Sequence, residues 1–314
     1  MKLKGELKGV YPALITPFKK NGEIDLAGFR NNIDYVIEGG VSGIVPCGCT
    51  GEAATLSFDE QKRLLEAAVD QANGRVPVIG GSGSNNTREA VELTHYAKDA
   101  GANAAMLITP YYNKPGDAGQ LLHYTTIASK VDIPIILYNV PSRTGINMKP
   151  SVVAELAKID NIVGIKEASG NPAQTAEIIE LTRGYKKPFT VLSGDDNLTI
   201  PIMSYGGMGV VSVAANILPR DMSQMIGYYL KGDQKKSLDV FYRLAPILRG
   251  LFIETNPIPV KAAANMMGLA AGPLRAPLTV LGDENQKKVR AMLEKAGAMP
   301  KKKMTVKARA KVGK

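Results

Sequence analysis

Lys166 is the residue best placed to do chemistry in this chain. It ends Ile162-Val163-Gly164-Ile165-Lys166, a run with strand character that Gly170 closes, so its ammonium falls at the C-terminal tip of a β-strand. On a regular strand Ile162, Gly164 and Lys166 share one face, and Val163, Ile165 and Glu167 the other. If both faces are buried, the amine is desolvated. Desolvation disfavours the charged form, and a neutral lysine attacks ketones and aldehydes to give a Schiff base. The plainer alternative is a lysine that ends a strand and pairs with Glu167 or water.

Other side chains suit that chemistry. Tyr138, in Ile135-Ile-Leu-Tyr-Asn139, alternates with Leu137 and can share an interior with Lys166. With an ordinary pKa of ~10, a phenol needs a hydroxyl relay to move protons at neutral pH, and Thr50 with Tyr111 or Tyr112 could supply one. Gly48-Cys49-Thr50-Gly51 offers successive backbone N–H groups and a hydroxyl, a cradle for a small carboxylate. Arg143, in Pro141-Ser-Arg-Thr-Gly145, could grip a second carboxylate with both arms of its fork. Taken singly, these residues also read as a core tyrosine, an ordinary turn and a surface arginine.

The elements that would hold these residues alternate regularly. Strands are expected at 9–16, 42–46, 76–80, 104–109, 133–140, 162–166, 190–193 and 209–213, with helices between and after them. Helix starts are marked by Asp25, by the capping box of Ser57 and Glu60, and by Asn86 with Glu89. Further helices are expected at 121–129, 149–157, 172–182, 198–203 and 219–230. Eight βα units over residues 1–230 predict an α/β fold, a (β/α)8 TIM barrel whose site lies at the C-terminal ends of the strands. Lys166, Tyr138, Tyr111, Tyr112, Cys49 and Thr50 all fall there. No Gly-x-Gly-x-x-Gly opens a first βα turn, and no Gly-Lys-Ser/Thr loop is present, which argues against a nucleotide-binding open sheet. Helical stretches at 234–249, 258–267 and 284–296 predict a C-terminal helical appendage over 231–299, and 300–314 reads as a basic tail.

The composition, 45% hydrophobic and 22% charged over 314 residues, is that of a globular protein. No apolar run suits a membrane span or a signal-peptide core, so a cytoplasmic protein without membrane contact is expected. Cys47 and Cys49 are too close for an unstrained disulfide, and with His95 and His123 scattered singly no metal site is expected. Seven of the ten excess positive charges fall in residues 301–314, leaving +3 for the rest. A balanced body with a basic end does not call for a specific nucleic-acid partner.

Several motifs together resemble the 4-hydroxy-tetrahydrodipicolinate synthase (dihydrodipicolinate synthase) family of pyruvate-dependent class I aldolases, from about residue 7 to 297. They are Gly48-Cys-Thr-Gly-Glu52, Thr109-Pro-Tyr-Tyr-Asn113, Leu137-Tyr-Asn-Val-Pro-Ser-Arg-Thr-Gly145, Gly164-Ile-Lys-Glu-Ala168, Leu192-Ser-Gly-Asp-Asp196 and Asn256-Pro-Ile-Pro-Val-Lys261. The resemblance implies that Lys166 forms a Schiff base with pyruvate, that Tyr138 transfers protons, and that Thr50 and nearby amides hold the pyruvate carboxylate. It implies that Tyr112 enters the site of an adjacent subunit in a homotetramer, that Arg143 binds the carboxylate of aspartate semialdehyde, and that Val211 and Gly194 line the pocket. No cofactor is implied, because the protonated imine is itself the electron sink. A sibling aldolase acting on a sugar acid or hydroxy-keto acid is the competing implication.

Two departures stand out. Cys49 replaces the threonine that commonly links the two tyrosines, and a thiol is a weaker hydrogen-bond partner. Asn85, Glu89 and Tyr111 match the family's lysine-inhibitor site, but Phe58 and Gln61 stand where histidines occur in some inhibited members. Weak or absent lysine inhibition is expected.

Overall fold

The computed structural model describes residues 7–299; the expected basic tail at 300–314 lies outside the described residues. Seven parallel strands, β1 (Gly9–Pro12), β2 (Ile79–Gly81), β3 (Ala104–Ile108), β4 (Ile135–Asn139), β5 (Ile162–Glu167), β6 (Thr190–Ser193) and β7 (Gly209–Ser212), follow the order β1-β7-β6-β5-β4-β3-β2. Residues 42–46, expected to form a full strand, make only single bridges, Val45 to Ala13 and Ile44 to Val78. They still close the ring. Val45 N donates to Pro12 O and Ile79 N to Ile44 O, each at 2.9 Å. Further bonds run along the segment, Leu14 N to Val45 O at 2.9 Å and Ile44 N to Pro77 O and Gly81 N to Pro46 O at 3.0 Å, but Pro46 has no N–H to give and Cys47 turns away with φ +58. The result is the eight-membered barrel expected of the pattern, with helices outside.

Side chains alternate between two layers, and that is what aims Lys166. Tyr11, Val45, Ile79, Met106, Ile136, Tyr138, Leu192 and Val211 fill the interior. Leu107, Ile135, Leu137, Ile162, Ile165 and Val191 face the outer helices through Tyr124, Val152 and Leu156. Ile162 therefore does not share a face with Lys166, contrary to simple alternation. A bulge explains this: Ile135 pairs with Ile162, but Ile136 pairs with Gly164, so Val163 is skipped and the phase shifts by one. From Gly164 onward the expected alternation holds, and Tyr138 pairs directly with Lys166.

The helix starts obey their caps. Asp25 accepts from Gly28 N, Ser57 and Glu60 form the capping box on Phe58–Ala72, and Asn86 accepts from Arg88 N at the start of Thr87–Asp99. The helix expected from 121 begins earlier, at Asp117, and runs to Lys130. A short helical turn, Pro141–Thr144, was not expected; it carries Arg143 directly off the end of β4. Three C-terminal helices, Gln234–Gly250, Ile258–Met266 and Asp283–Lys295, pack Leu244, Ile247, Val260, Val289 and Leu293 into one core with Val10, Phe29 and Met222. Among the described residues no helix is long and apolar enough to cross a membrane.

Candidate active site

Lys166 is the next-to-last residue of β5, its side chain buried between Tyr138 of β4 and Leu192 of β6. Its Nζ lies 4.0 Å from the centroid of the Tyr138 ring. Burial lowers the amine from its usual 10.5 to about 8, with nearby Arg143 pushing the same way and Cys49 and Asp196 opposing. A useful fraction is thus neutral near physiological pH. Glu167, the alternative partner, faces away: it accepts from Asn139 Nδ2 at 3.0 Å and Ser169 N at 2.7 Å.

A pH dependence follows from the amine. The nucleophile is the unprotonated form, so the rate of imine formation with pyruvate should rise with pH from 6 and level off above about 8. Rapid-mixing absorbance of the imine measures it. A plateau already reached at pH 6 would show that the amine is not the titrating group.

Tyr138 is also buried, and burial raises its phenol well above 10, with Cys49 adding to the rise and Arg143 opposing it. The phenol therefore stays protonated at neutral pH and acts as a donor. The Cys49 side chain is hydrogen-bonded to it, and Cys49 also raises the phenol of Tyr111, whose largest perturbation is burial. Cys49 thus sits between the two tyrosines.

The turn Cys49–Gly51 that carries Cys49 and Thr50 is bounded by two non-glycine residues in the left-handed region, Cys47 at φ +58 and Glu52 at φ +56. Such conformations cost roughly 1–3 kcal/mol each and persist only where surroundings enforce them. Here the enforcement is a buried ion pair. Lys261 Nζ donates to Glu52 Oε1 at 2.7 Å, and also to Thr16 O at 2.9 Å and Pro273 O at 2.7 Å. Glu52 Oε2 accepts from Arg275 N at 3.1 Å. A C-terminal helix thereby fixes the loop at the mouth. Removing one partner of such a pair leaves a buried charge and typically costs about 3–5 kcal/mol. Glu52→Gln should lower the urea midpoint accordingly; an unchanged midpoint would contradict this role.

Arg143 lies exposed at the mouth with Nη2 donating to Asn256 O at 2.8 Å. Thr50 is buried and accepts from Asn256 Nδ2 at 3.0 Å. Gly194 follows β6, where a Cβ would meet that of Ala168 at 2.5 Å, so only glycine fits there. Val211 is buried in the interior cluster with Tyr138 and Leu192. The structure therefore brings Lys166, Tyr138, Cys49, Thr50, Arg143, Gly194 and Val211 to one end of the barrel. Sequence reasoning assigned no role to Asn256 or Asp196. Asp196 is buried, its Oδ2 accepting from Val213 N at 3.0 Å and Ala214 N at 2.9 Å, and burial raises its carboxyl to about 6.

The family model described as the dihydrodipicolinate synthetase family matches residues 6–296. The chain belongs to that family. A 4-hydroxy-tetrahydrodipicolinate synthase of Methanosarcina mazei is 56% identical over 292 residues, covering 93% of this chain and 99% of that protein. The crystal structure of dihydrodipicolinate synthase from Aquifex aeolicus superposes with a TM-score of 0.91 at 44% identity, over 94% of this chain and 100% of that one. That of the chloride-inhibited enzyme from Acinetobacter baumannii complexed with pyruvate gives 0.90 at 41%, over 93% and 99%.

As in the family motif Thr109-Pro-Tyr-Tyr-Asn113, two tyrosines follow β3, and they take different settings in this member of the dihydrodipicolinate synthetase family. Tyr112 is 89% exposed with its backbone left-handed at φ +66, so within one chain it does not join the Lys166 cluster. Tyr111, 37% exposed, lies toward Cys49 and Glu89, with the main chain of Asn85 as hydrogen-bond partner. Glu89 is held by Ser84 Oγ at 2.7 Å and Asn86 Nδ2 at 3.1 Å.

Proposed function

We propose that this chain is an EC 4.3.3.7 lyase that condenses pyruvate with L-aspartate 4-semialdehyde to give 4-hydroxy-tetrahydrodipicolinate, in diaminopimelate and lysine biosynthesis. The observation that carries the reading is the desolvated Lys166 amine, 4.0 Å from the Tyr138 ring centroid and within the field of Arg143. Membership of the family supports the choice of substrates. Neutral Lys166 attacks the ketone carbon of pyruvate, Tyr138 protonates the departing hydroxyl, and water leaves to give the protonated imine. The Tyr138 oxygen, deprotonated in that step, takes a methyl proton to give the enamine, whose carbon bonds to the aldehyde carbon while the new alkoxide takes the proton back through the relay. The amine of the adduct then attacks the imine carbon, closing the ring and releasing Lys166.

Thr50 and the backbone amides of its turn bind the pyruvate carboxylate, Arg143 the carboxylate of the aldehyde, and Gly194 and Val211 shape the pocket. Cys49 passes the proton from Tyr138. Tyr112 completes the relay in a neighbouring subunit of a homotetramer, a role that would explain why a large aromatic is held outward in a strained conformation. A cytoplasmic setting and a division into a barrel to residue 230 and a helical region to 299 belong to the same reading. Turnover of pyruvate with L-aspartate semialdehyde, followed through a coupled reductase consuming NADPH, tests it. Turnover with a sugar aldehyde in its place would contradict it.

Asn85, Glu89 and Tyr111 would hold an inhibitory lysine, but the exposed Phe58, and Gln61, which donates to Ala53 O at 3.4 Å, stand where some inhibited members have histidines. Millimolar lysine is expected to leave most turnover intact. Strong suppression in the same assay would contradict this.

A further inference from the structure

Asn256 is buried between the helices Gln234–Gly250 and Ile258–Met266, and it touches both carboxylate-binding groups through different atoms. Its side-chain Nδ2 donates to Thr50 Oγ1 at 3.0 Å, while its main-chain oxygen accepts from Arg143 Nη2 at 2.8 Å. The two contacts respond differently to substitution. A hydroxyl has one proton and two lone pairs, so an amide donating to Thr50 Oγ1 occupies a lone pair and turns the proton elsewhere. That proton is thus left for a partner other than Asn256. The Asn256 Oδ1 atom is likewise buried with no protein partner among the described residues, a cost that a purely structural tie would avoid.

We propose that Asn256 is a positioning residue for the 2-oxo acid subsite, its amide turning the Thr50 hydroxyl outward so that it donates to the substrate carboxylate. This rests on the reading of Lys166 and Thr50 given above. Because Arg143 is held by the main chain, changing the Asn256 side chain leaves the second subsite in place. Asn256→Ala frees the Thr50 hydroxyl to rotate. Asn256→Asp goes further, because a carboxylate would accept the Thr50 proton and repel the substrate carboxylate.

Borohydride trapping on Lys166 against pyruvate concentration reads the first subsite alone. Wild-type protein that traps no pyruvate would overturn the functional reading and this inference together. Where the wild type traps, both variants are expected to need about tenfold or more pyruvate for half-saturation, the scale of one charge-assisted hydrogen bond. The KM for the aldehyde should stay within about threefold by the same independence. An unchanged half-saturation in the near-isosteric Asn256→Asp, or an equal rise for both substrates, would overturn the inference. Thr50→Val combined with Asn256→Ala should trap no worse than Thr50→Val alone. Additive losses would overturn it too, by showing that Asn256 acts on something else. If Asn256→Ala fails to fold, the near-isosteric Asn256→Leu, which carries neither a donor nor a charge, takes its place, alone and with Thr50→Val.

Discussion

Replacing Lys166 by methionine is expected to lower turnover by at least ~10⁴-fold while the protein stays folded, because the amine makes the covalent bond on which every later step depends. The same change should stabilise the fold at neutral pH. Burial lowers the amine from 10.5 to about 8, so between those values the unfolded chain binds more protons than the folded one, and stability rises with pH across that window. Below about 8 the full cost of burying an ammonium is present, on the order of 3 kcal/mol at ~1.4 kcal/mol per pKa unit. Methionine removes it and keeps the apolar stem. A variant that lost activity and also melted earlier would show Lys166 to be structural, and one that kept turnover would remove the imine from the mechanism. Denaturation at pH 7 beside the coupled assay separates these outcomes.

Tyr138→Phe is expected to lower kcat by ~10²–10⁴-fold, the usual range for a positioned acid–base group, with less effect on the pyruvate KM. The ring that packs against Lys166 remains, so the lysine keeps its desolvated setting, and only the proton donor is lost. Single-turnover kinetics check this, and the slow step should be imine formation. A loss confined to KM would mean that the phenol binds substrate and does not shuttle protons. Cys49→Thr provides a gauge, since a hydroxyl is the stronger relay partner and should at least preserve the rate.

What was legible in the sequence is what periodicity and punctuation encode. The position of Lys166 at the tip of a strand, its shared interior with Tyr138, and the caps at Asp25, Ser57 and Asn86 depend on neighbours within a few residues. What was missed depends on the register between strands or on distant contacts. The bulge that moves Ile162 to the outer layer arises from pairing with β4 and has no local mark. Residues 42–46 have strand composition, yet form only isolated bridges, because Pro46 lacks an N–H and Cys47 turns left-handed just beyond it. The motifs around Glu52, Asn256 and Lys261 were visible as motifs. Their partnership was not, because the contacts of Glu52 with Lys261 and of Thr50 with Asn256 join residues 209 and 206 positions apart. The residue pattern alone did not separate Tyr111 from Tyr112, because the backbone at φ +66 makes that choice; only the family resemblance assigned Tyr112 to a neighbouring subunit.

The central claim is that Lys166 carries pyruvate as an imine and passes it to aspartate semialdehyde. The most direct test is to reduce the protein with borohydride in pyruvate, with and without prior addition of L-aspartate semialdehyde, and map the modified peptide by mass. The account predicts a pyruvate adduct on Lys166 alone, diminished when the aldehyde has first consumed the pyruvate. An adduct on another lysine, no adduct, or one indifferent to the aldehyde would contradict it.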